Sequence, residues 1–289
     1  MKFSVQRCCT TPVLLRQYET STNGVLDRLG VELVDIQETG CCGYPLKTSN
    51  FMAYVLCSAK NLALAEKNGL NMMTFCNCCY GTLKHVNHLM AAHTSLRKEI
   101  NALLEKEGLT WHGDLEIKHL LQVFSQSIGI EKIKKSLVKT YKGLKIATHY
   151  GCHLLRPCKI IQFDNPETPS TFDQLVELTG AQSIAWRNKL DCCGSPIWGI
   201  NDALSLDLTT KKLNGAHEAG ADFFCVACPY CQLQFDRVQK ISLAGNDNVS
   251  YLPSVLFTQL LGLSLGIGER ILGIGQNELN SMGLLEHLH

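Results

Sequence analysis

Fifteen of the 289 residues are cysteines, and ten of them fall into two arrays with nearly the same spacing. The first runs Cys9, then Cys41-Cys42-Gly43, then Cys76-x-x-Cys79. The second runs Cys152, then Cys192-Cys193-Gly194, then Cys228-x-x-Cys231. Without an export signal, structural disulfides do not persist, and an odd total resists complete pairing, so metal binding or redox chemistry is the better reading. A structural zinc site takes four ligands, commonly from two C-x-x-C hairpins. Here each array brings one such hairpin, an adjacent pair and a single upstream thiol. Neighbours in an extended chain point to opposite sides, so adjacent thiolates suit an object touched at two metals better than one small ion. Iron–sulfur clusters are such objects. The pattern favours them, with zinc and thiol–disulfide chemistry as the alternatives. Cys225-x-x-Cys228-x-x-Cys231 mimics part of a bacterial ferredoxin run without its fourth cysteine, which weighs against ordinary cubane clusters.

The surroundings repeat as well. Gly40-Cys-Cys-Gly-Tyr-Pro45 answers Asp191-Cys-Cys-Gly-Ser-Pro196, and Ala65 to Gly69 answers Ala216 to Gly220. One supersecondary unit is used twice. The expected division is residues 1–142 and 143–289, and the absence of a Pro/Ser linker near Lys142-Gly143 predicts that the halves pack together. Each half alternates short apolar runs with helical patterns, so the fold class expected is α/β: two tandem, pseudo-twofold related units, each a mostly parallel sheet flanked by helices.

Strands are predicted at Phe3–Gln6, 31–36 and 71–75, each running into a cysteine group, and at 145–148, 181–186 and 222–226 in the second half. The carboxyl edge of a parallel sheet is where ligands bind, so three distant segments would converge five thiols there. A helix is expected from Pro12 to Gly30, and another, capped by Ser49 or Asn50, as far as Gly69. Leu83, Val86, Met90, Leu96, Ile100 and Leu103 mark a long helix after the first C-x-x-C that the second half lacks.

Composition narrows the rest. With 27 basic and 26 acidic side chains, the net charge of +1 gives no broad attraction to nucleic acid or anionic membrane. No apolar run reaches the ~18–20 residues of a membrane helix, and no apolar stretch follows Lys2 and Arg7 as a secretory signal would. A cytoplasmic protein is expected.

The paired C-x31-CC-x33-C-x2-C and C-x39-CC-x34-C-x2-C arrays, each with C-C-G-x-P, resemble the CCG domains of the B-type subunit of heterodisulfide reductase. Tyr150-Gly-Cys-His-Leu-Leu155, Cys228-Pro-Tyr-Cys231 and Cys76-Asn-Cys-Cys-Tyr80 strengthen the likeness, which runs from Phe3 to about Ile267. The resemblance implies two noncubane [4Fe–4S] clusters as cofactors. Cys9, Cys41, Cys42, Cys76 and Cys79 would hold one. Cys152, Cys192, Cys193, Cys228 and Cys231 would hold the other. A disulfide, such as the coenzyme M–coenzyme B heterodisulfide, would be reduced between them, each sulfur taken by one iron. It further implies two partners, a small ferredoxin-like subunit that delivers the electrons and a flavin/iron–sulfur subunit that supplies them. Related CCG proteins serve in sulfur oxidation or in hydroxy-acid dehydrogenases, and a zinc-stabilised binding module is the alternative from another class.

The remaining candidates have bland readings beside the chemical ones. His153, next to Cys152, is the candidate catalytic residue, a proton donor to a departing thiolate, with a structural loop histidine as the alternative. His149 reads as structural, and His85, His88 and His93 lack the spacing of a helical metal site. Cys8 stands where a glycine is expected, and Cys8, Cys57, Cys78, Cys158 and Cys225 have no counterpart in the other half and read as structural. Lys47, Arg156 and Lys159 lie near the cysteine loops; solvated loop charge is favoured over attraction of an anionic substrate. Residues 164–169 read as a turn-rich loop, and His287 and His289 as a disordered tail.

Overall fold

The computed structural model describes residues 1–242 and 251–289. Two four-stranded sheets organise it. The first contains β1 (Lys2–Gln6), β2 (Glu32–Val34), β3 (Met72–Thr74) and β4 (Ile117–His119), in the order β2-β1-β3-β4. The second contains β5 (Lys145–His149), β6 (Gln182–Ser183), β7 (Phe223–Val226) and β8 (Ser254–Leu256), in the order β6-β5-β7-β8. Every pairing is parallel, as the α/β reading requires. The central strands are buried on both faces beyond their first residues, with Phe3, Val5, Met72, Met73, Ile146, Ala147 and Phe224 forming their apolar part. That is the pattern of a sheet covered on both faces.

This strand order places the ligand crevice. The chain passes from β1 to β2 on one side, then crosses back to β3 on the other. The crevice beyond the carboxyl ends at such a reversal is the binding position of open parallel sheets. Cys8 and Cys9 leave β1 there and Cys76 leaves β3; Cys152 leaves β5 and Cys228 leaves β7. Asn50 and Asn201 cap the helices behind the adjacent cysteine pairs, Phe51–Lys67 and Asp202–Glu218. Each Oδ1 accepts a 3.0 Å bond, from Ala53 N and Leu204 N respectively. Such caps contribute about 1 kcal/mol and fix where each helix starts.

Several expectations are corrected. The helix expected from Pro12 is broken at Leu15 (φ −143°, ψ 50°), so a turn at Thr11–Leu14 precedes the helix proper, Arg16–Arg28. His93 (φ −116°, ψ 95°) divides the long helix into Asn77–Ala92 and Thr94–Leu104. The second segment buries Ile100 and Leu104 and leaves Leu103 on the surface. β4 and β8 complete the sheets without having been expected. The apolar segment from Leu252 to Ile274 forms β8 and the buried Phe257–Ser264 helix, which lies on the Arg16–Arg28 helix of the first half. Ser21 Oγ and Thr258 Oγ1 meet there at 2.7 Å. The tail is ordered: Thr140 and His289 exchange two backbone bonds of 3.0 Å, and His287 Nδ1 lies 3.1 Å from Lys142 O. Residues 164–169 form the expected turn, Asp164 Oδ2 accepting from Ser170 N and Thr171 N. Among the described residues no helix is long and apolar enough to cross a membrane.

Candidate metal centres

The glycine of each C-C-G triplet is a steric requirement. Gly43 and Gly194 have φ of +88° and +91°, and a Cβ would come within 2.7 Å of Tyr54 O and 2.4 Å of Ser205 O. Only a residue without a side chain lets the cysteine loop lie directly on its helix. From those helices Ser58 Oγ donates to Cys42 O at 2.5 Å and Thr209 Oγ1 to Cys193 O at 3.0 Å. The second cysteine of each pair is thereby aimed at the crevice.

The thiols gather at two foci. In the first half the Cys8, Cys76 and Cys79 sulfurs lie within 4.8 Å of one another. Cys42 has Cys41 and Cys79 as thiol neighbours, and Cys9 has Cys8 and Cys41. In the second half Cys193, Cys231 and a ring nitrogen of His149 lie within 4.8 Å of one another, with Cys193 and Cys231 sulfurs 3.7 Å apart. Cys192 has Cys152 and Cys193 as thiol neighbours, and Cys228 has Cys231. The foci also touch, because Cys228 is a neighbour of both Cys76 and Cys78.

Crowded thiols cannot all ionise, since like charges in one site disfavour each other. Hydrogen bonds from Cys41 and Cys79 draw the Cys42 thiol down to about 4. Cys152 and Cys193 draw Cys192 well below the ordinary thiol range. The bonds to those acidified partners, with burial, push Cys41 and Cys152 far up. A bound cationic core would relieve this repulsion. The donor set is sulfur-dominated, and polar atoms beside it are orphaned: Gln6 Oε1, Asn77 Oδ1 and both His149 nitrogens are buried without partners. A 500 Å³ cavity lined by Gln6, Cys8, Cys9 and Cys41 opens on the first focus. Sulfur donors, orphaned polar atoms and space together fit a metal–sulfur group.

Three features escaped the sequence. The Cys8 thiol, not that of Cys9, points inward with Cys76 and Cys79, while Cys9 is exposed. The matching position in the second half is Gly151 at φ +76°, a conformation unsuited to cysteine, so the two loops turn differently. His149 stands in the second focus. Finally, Cys78 Sγ lies 3.1 Å from His153 Nδ1 across the two halves. The repeat gave no sign of that pairing, because neither residue has a counterpart. Burial, reinforced by Lys47, holds the His153 imidazole below its ordinary range.

Cys78 and His153 line a 190 Å³ cleft between the halves with Tyr44, Lys47, His85 and Arg156, and no carboxylate. Lys159 does not line it. Asn77 Nδ2 donates to Tyr150 O at 2.7 Å beneath the cleft, and Tyr80 OH to Ile161 O at 3.2 Å. Gly151 and Gly81 permit the approach, since a Cβ at either would meet Asn77 Nδ2 at 2.3 Å or His153 O at 3.1 Å.

The family described as the cysteine-rich domain, CCG, matches residues 3–84 and 146–236, one copy on each sheet. The chain is 34% identical over 295 residues to the B-type subunit of the ferredoxin/F420H2-dependent CoB–CoM heterodisulfide reductase of Methanosarcina acetivorans, covering all of this chain and 97% of that one. The chain belongs to the family of B-type heterodisulfide reductase subunits. The chain is also 30% identical to the 8-methylmenaquinol:fumarate reductase membrane anchor subunit of Wolinella succinogenes, over 91% of this chain and 92% of that one. A crystal structure of a hypothetical protein from Helicobacter pylori shares the fold, with a TM-score of 0.72 and 17% identity. The match spans 96% of this CCG chain and about half, 51%, of that one.

Proposed function

We propose that the chain is the catalytic subunit of a heterodisulfide-reductase-type complex, reducing a disulfide to two thiols in the cleft between its halves. The observation that carries this reading is the meeting of two five-cysteine arrays across one interface, with Cys76 of the first, and Cys78 beside it, against Cys228 of the second. The two halves, residues 1–142 and 143–289, each hold one noncubane [4Fe–4S] cluster on the ten array cysteines. Bound there, the two clusters would supply the electrons and accept the two sulfurs. The chain's own residues do the rest. Lys47 and Arg156 receive an anionic disulfide, of which the coenzyme M–coenzyme B heterodisulfide is one example. His153 reaches the cleft with Nδ1 3.1 Å from Cys78 Sγ, in position to pass a proton to a departing thiolate. Tyr44 packs edge-on against that imidazole, 5.3 Å between centroids, and fixes its plane. Electrons come through a small ferredoxin-like subunit from a flavin/iron–sulfur subunit, in the cytoplasm.

The fumarate reductase relative favours a second reading, an electron-transferring CCG subunit of another respiratory complex. Iron, zinc and acid-labile sulfide per chain after anaerobic purification test both. About eight irons with matching sulfide support the two-cluster reading, and zinc without sulfide sinks both. Disulfide reduction with a reduced viologen dye then separates them. His153→Ala should depress turnover more than tenfold with iron content unchanged.

A further inference from the structure

One pair of equivalent positions in the repeat differs by a full charge. From Cys41 to Gly69 and from Cys192 to Gly220 the halves align at a constant offset of 151 residues. Ser58 thus overlies Thr209, and both bond the carbonyl of the second paired cysteine. Three residues on, the same helix face presents Asn61 in the first half and Lys212 in the second. Asn61 pins its cysteine loop with a neutral amide: Nδ2 donates to Gly40 O at 3.1 Å and Cys41 O at 3.2 Å, and Oδ1 accepts from Gly40 N at 3.0 Å. Lys212 reaches three residues further upstream, with an ammonium that donates to Asn188 O and, at 3.4 Å, to Lys189 O, where the first half has Gln37 and Glu38.

The Lys212 side chain is fully buried, with Nζ 4.7 Å from the Trp186 ring centroid. Asn188 (φ +67°) turns its carbonyl inward, and Gly215 lets the loop lie on the helix, since a Cβ would meet Arg187 O at 2.9 Å. Among the described residues no carboxylate is within ion-pair distance of Nζ. Burial brings its pKa down to about 8, while Cys193, Asp191 and Cys231 act upward, so it stays charged at neutral pH. Asp191 is exposed and screened by water. Burying an ammonium on carbonyls costs several kcal/mol, and in the first half a neutral amide at the equivalent position supports the cysteine pair without that cost. Support of the paired cysteines themselves therefore does not require a charge at this position.

We infer that Lys212 is a positioning residue for electrons, raising the reduction potential of the second centre above that of the first. The inference rests on the proposed reading that each array holds an iron–sulfur cluster. A fixed cation favours the more negative, reduced state of a nearby centre. The electron exchanged between the halves then rests in the second. At an effective dielectric of ~20, a unit charge about 12 Å from a centre shifts its one-electron equilibrium roughly tenfold, about 59 mV.

The test is an anaerobic redox titration of the full chain followed by electron paramagnetic resonance, for the wild type, K212Q, K212R and N61K. The signal that disappears in C193A is assigned to the second centre. The expected result is a fall of about tenfold in the equilibrium constant, about 59 mV, for the second centre of K212Q. The first centre should be unmoved, and K212R should stay near wild type. N61K, which transplants the charge, should raise the first centre by a similar amount, and decides the matter if K212Q fails to retain iron. Unmoved potentials in iron-replete K212Q, or in N61K, overturn the inference. A wild-type chain without iron and sulfide overturns the proposed function instead.

Discussion

Gly151→Ala tests whether the interface between the halves is what holds the site together. Gly151 has φ +76° and ψ 139°, a backbone region open to glycine alone, and an alanine forced into it costs about 1–3 kcal/mol. The new Cβ would also stand 2.3 Å from Asn77 Nδ2 and 3.4 Å from Cys231 Sγ. Asn77 must then leave Tyr150 O, its 2.7 Å partner across the interface, at a further cost of about 1 kcal/mol. The sum, about 2–4 kcal/mol, corresponds to a fall of roughly 3–7 °C in the thermal midpoint for a chain of this size. Gly69→Ala separates the terms. Gly69 has φ +63° with nothing within 4 Å of the added Cβ, so only the backbone cost of about 1–2 kcal/mol applies. Calorimetry and iron content on both variants are the assay. Gly151→Ala should melt lower than Gly69→Ala and retain less iron, because Asn77 adjoins Cys76. Equal midpoints and equal iron would refute the claim that close approach at Gly151 joins the two foci.

Cys8→Ser and Cys9→Ser divide the first array: if the inward thiol is a ligand, Cys8→Ser loses about half of the iron and Cys9→Ser loses less, and the reverse result restores the repeat's own choice of Cys9. Cys193→Ala should remove about half of the iron and leave the first centre's spectrum intact. Charge removal in the cleft by Lys47→Ala with Arg156→Ala should raise KM for an anionic disulfide at least tenfold, with kcat nearly unchanged; a kcat effect alone would count against substrate binding there. Burial raises the Asp236 carboxyl to about 6, although its oxygens accept from Glu278 N and Leu279 N at 2.9 and 2.8 Å. The folded state holds that proton more tightly than the unfolded one, so this group's contribution is full below about pH 4 and lost as pH rises through about 6. Comparing wild type with Asp236→Asn by urea unfolding from pH 4 to 7 should show that difference, on the order of 2–3 kcal/mol.

The fold was legible where chemistry and periodicity coincided. Each strand that ends at a cysteine group was expected close to where it stands, because a short apolar run led into a chemically marked loop. β4 and β8 carry no such mark. They are three-residue strands, too short for alternation to register. The long helix after Cys79 failed for the opposite reason: apolar spacing continued across His93, where one extended residue changes the direction of the chain. The interface was invisible in principle. Asn77 and Tyr150, or Cys78 and His153, are more than seventy residues apart and belong to halves whose relative placement no local pattern encodes.

The repeat was informative twice, through its agreements and through its failures. Agreement located the arrays, and steric need explains it. Gly43 and Gly194, Ser58 and Thr209, and Asn50 and Asn201 each repeat one contact behind one cysteine loop. The failures are chemical. Cys8 against Gly151 turns one thiol inward in one loop and leaves the other loop at a positive φ that only glycine adopts freely. Asn61 against Lys212 places an amide on the cysteine pair of one half and a cation on the stretch just before the pair in the other. Two identical centres would share an electron equally and give it no direction. A pseudo-twofold scaffold has to break its symmetry near the centres to order them, and a buried charge in one half is a change that leaves the cysteine geometry of both in place.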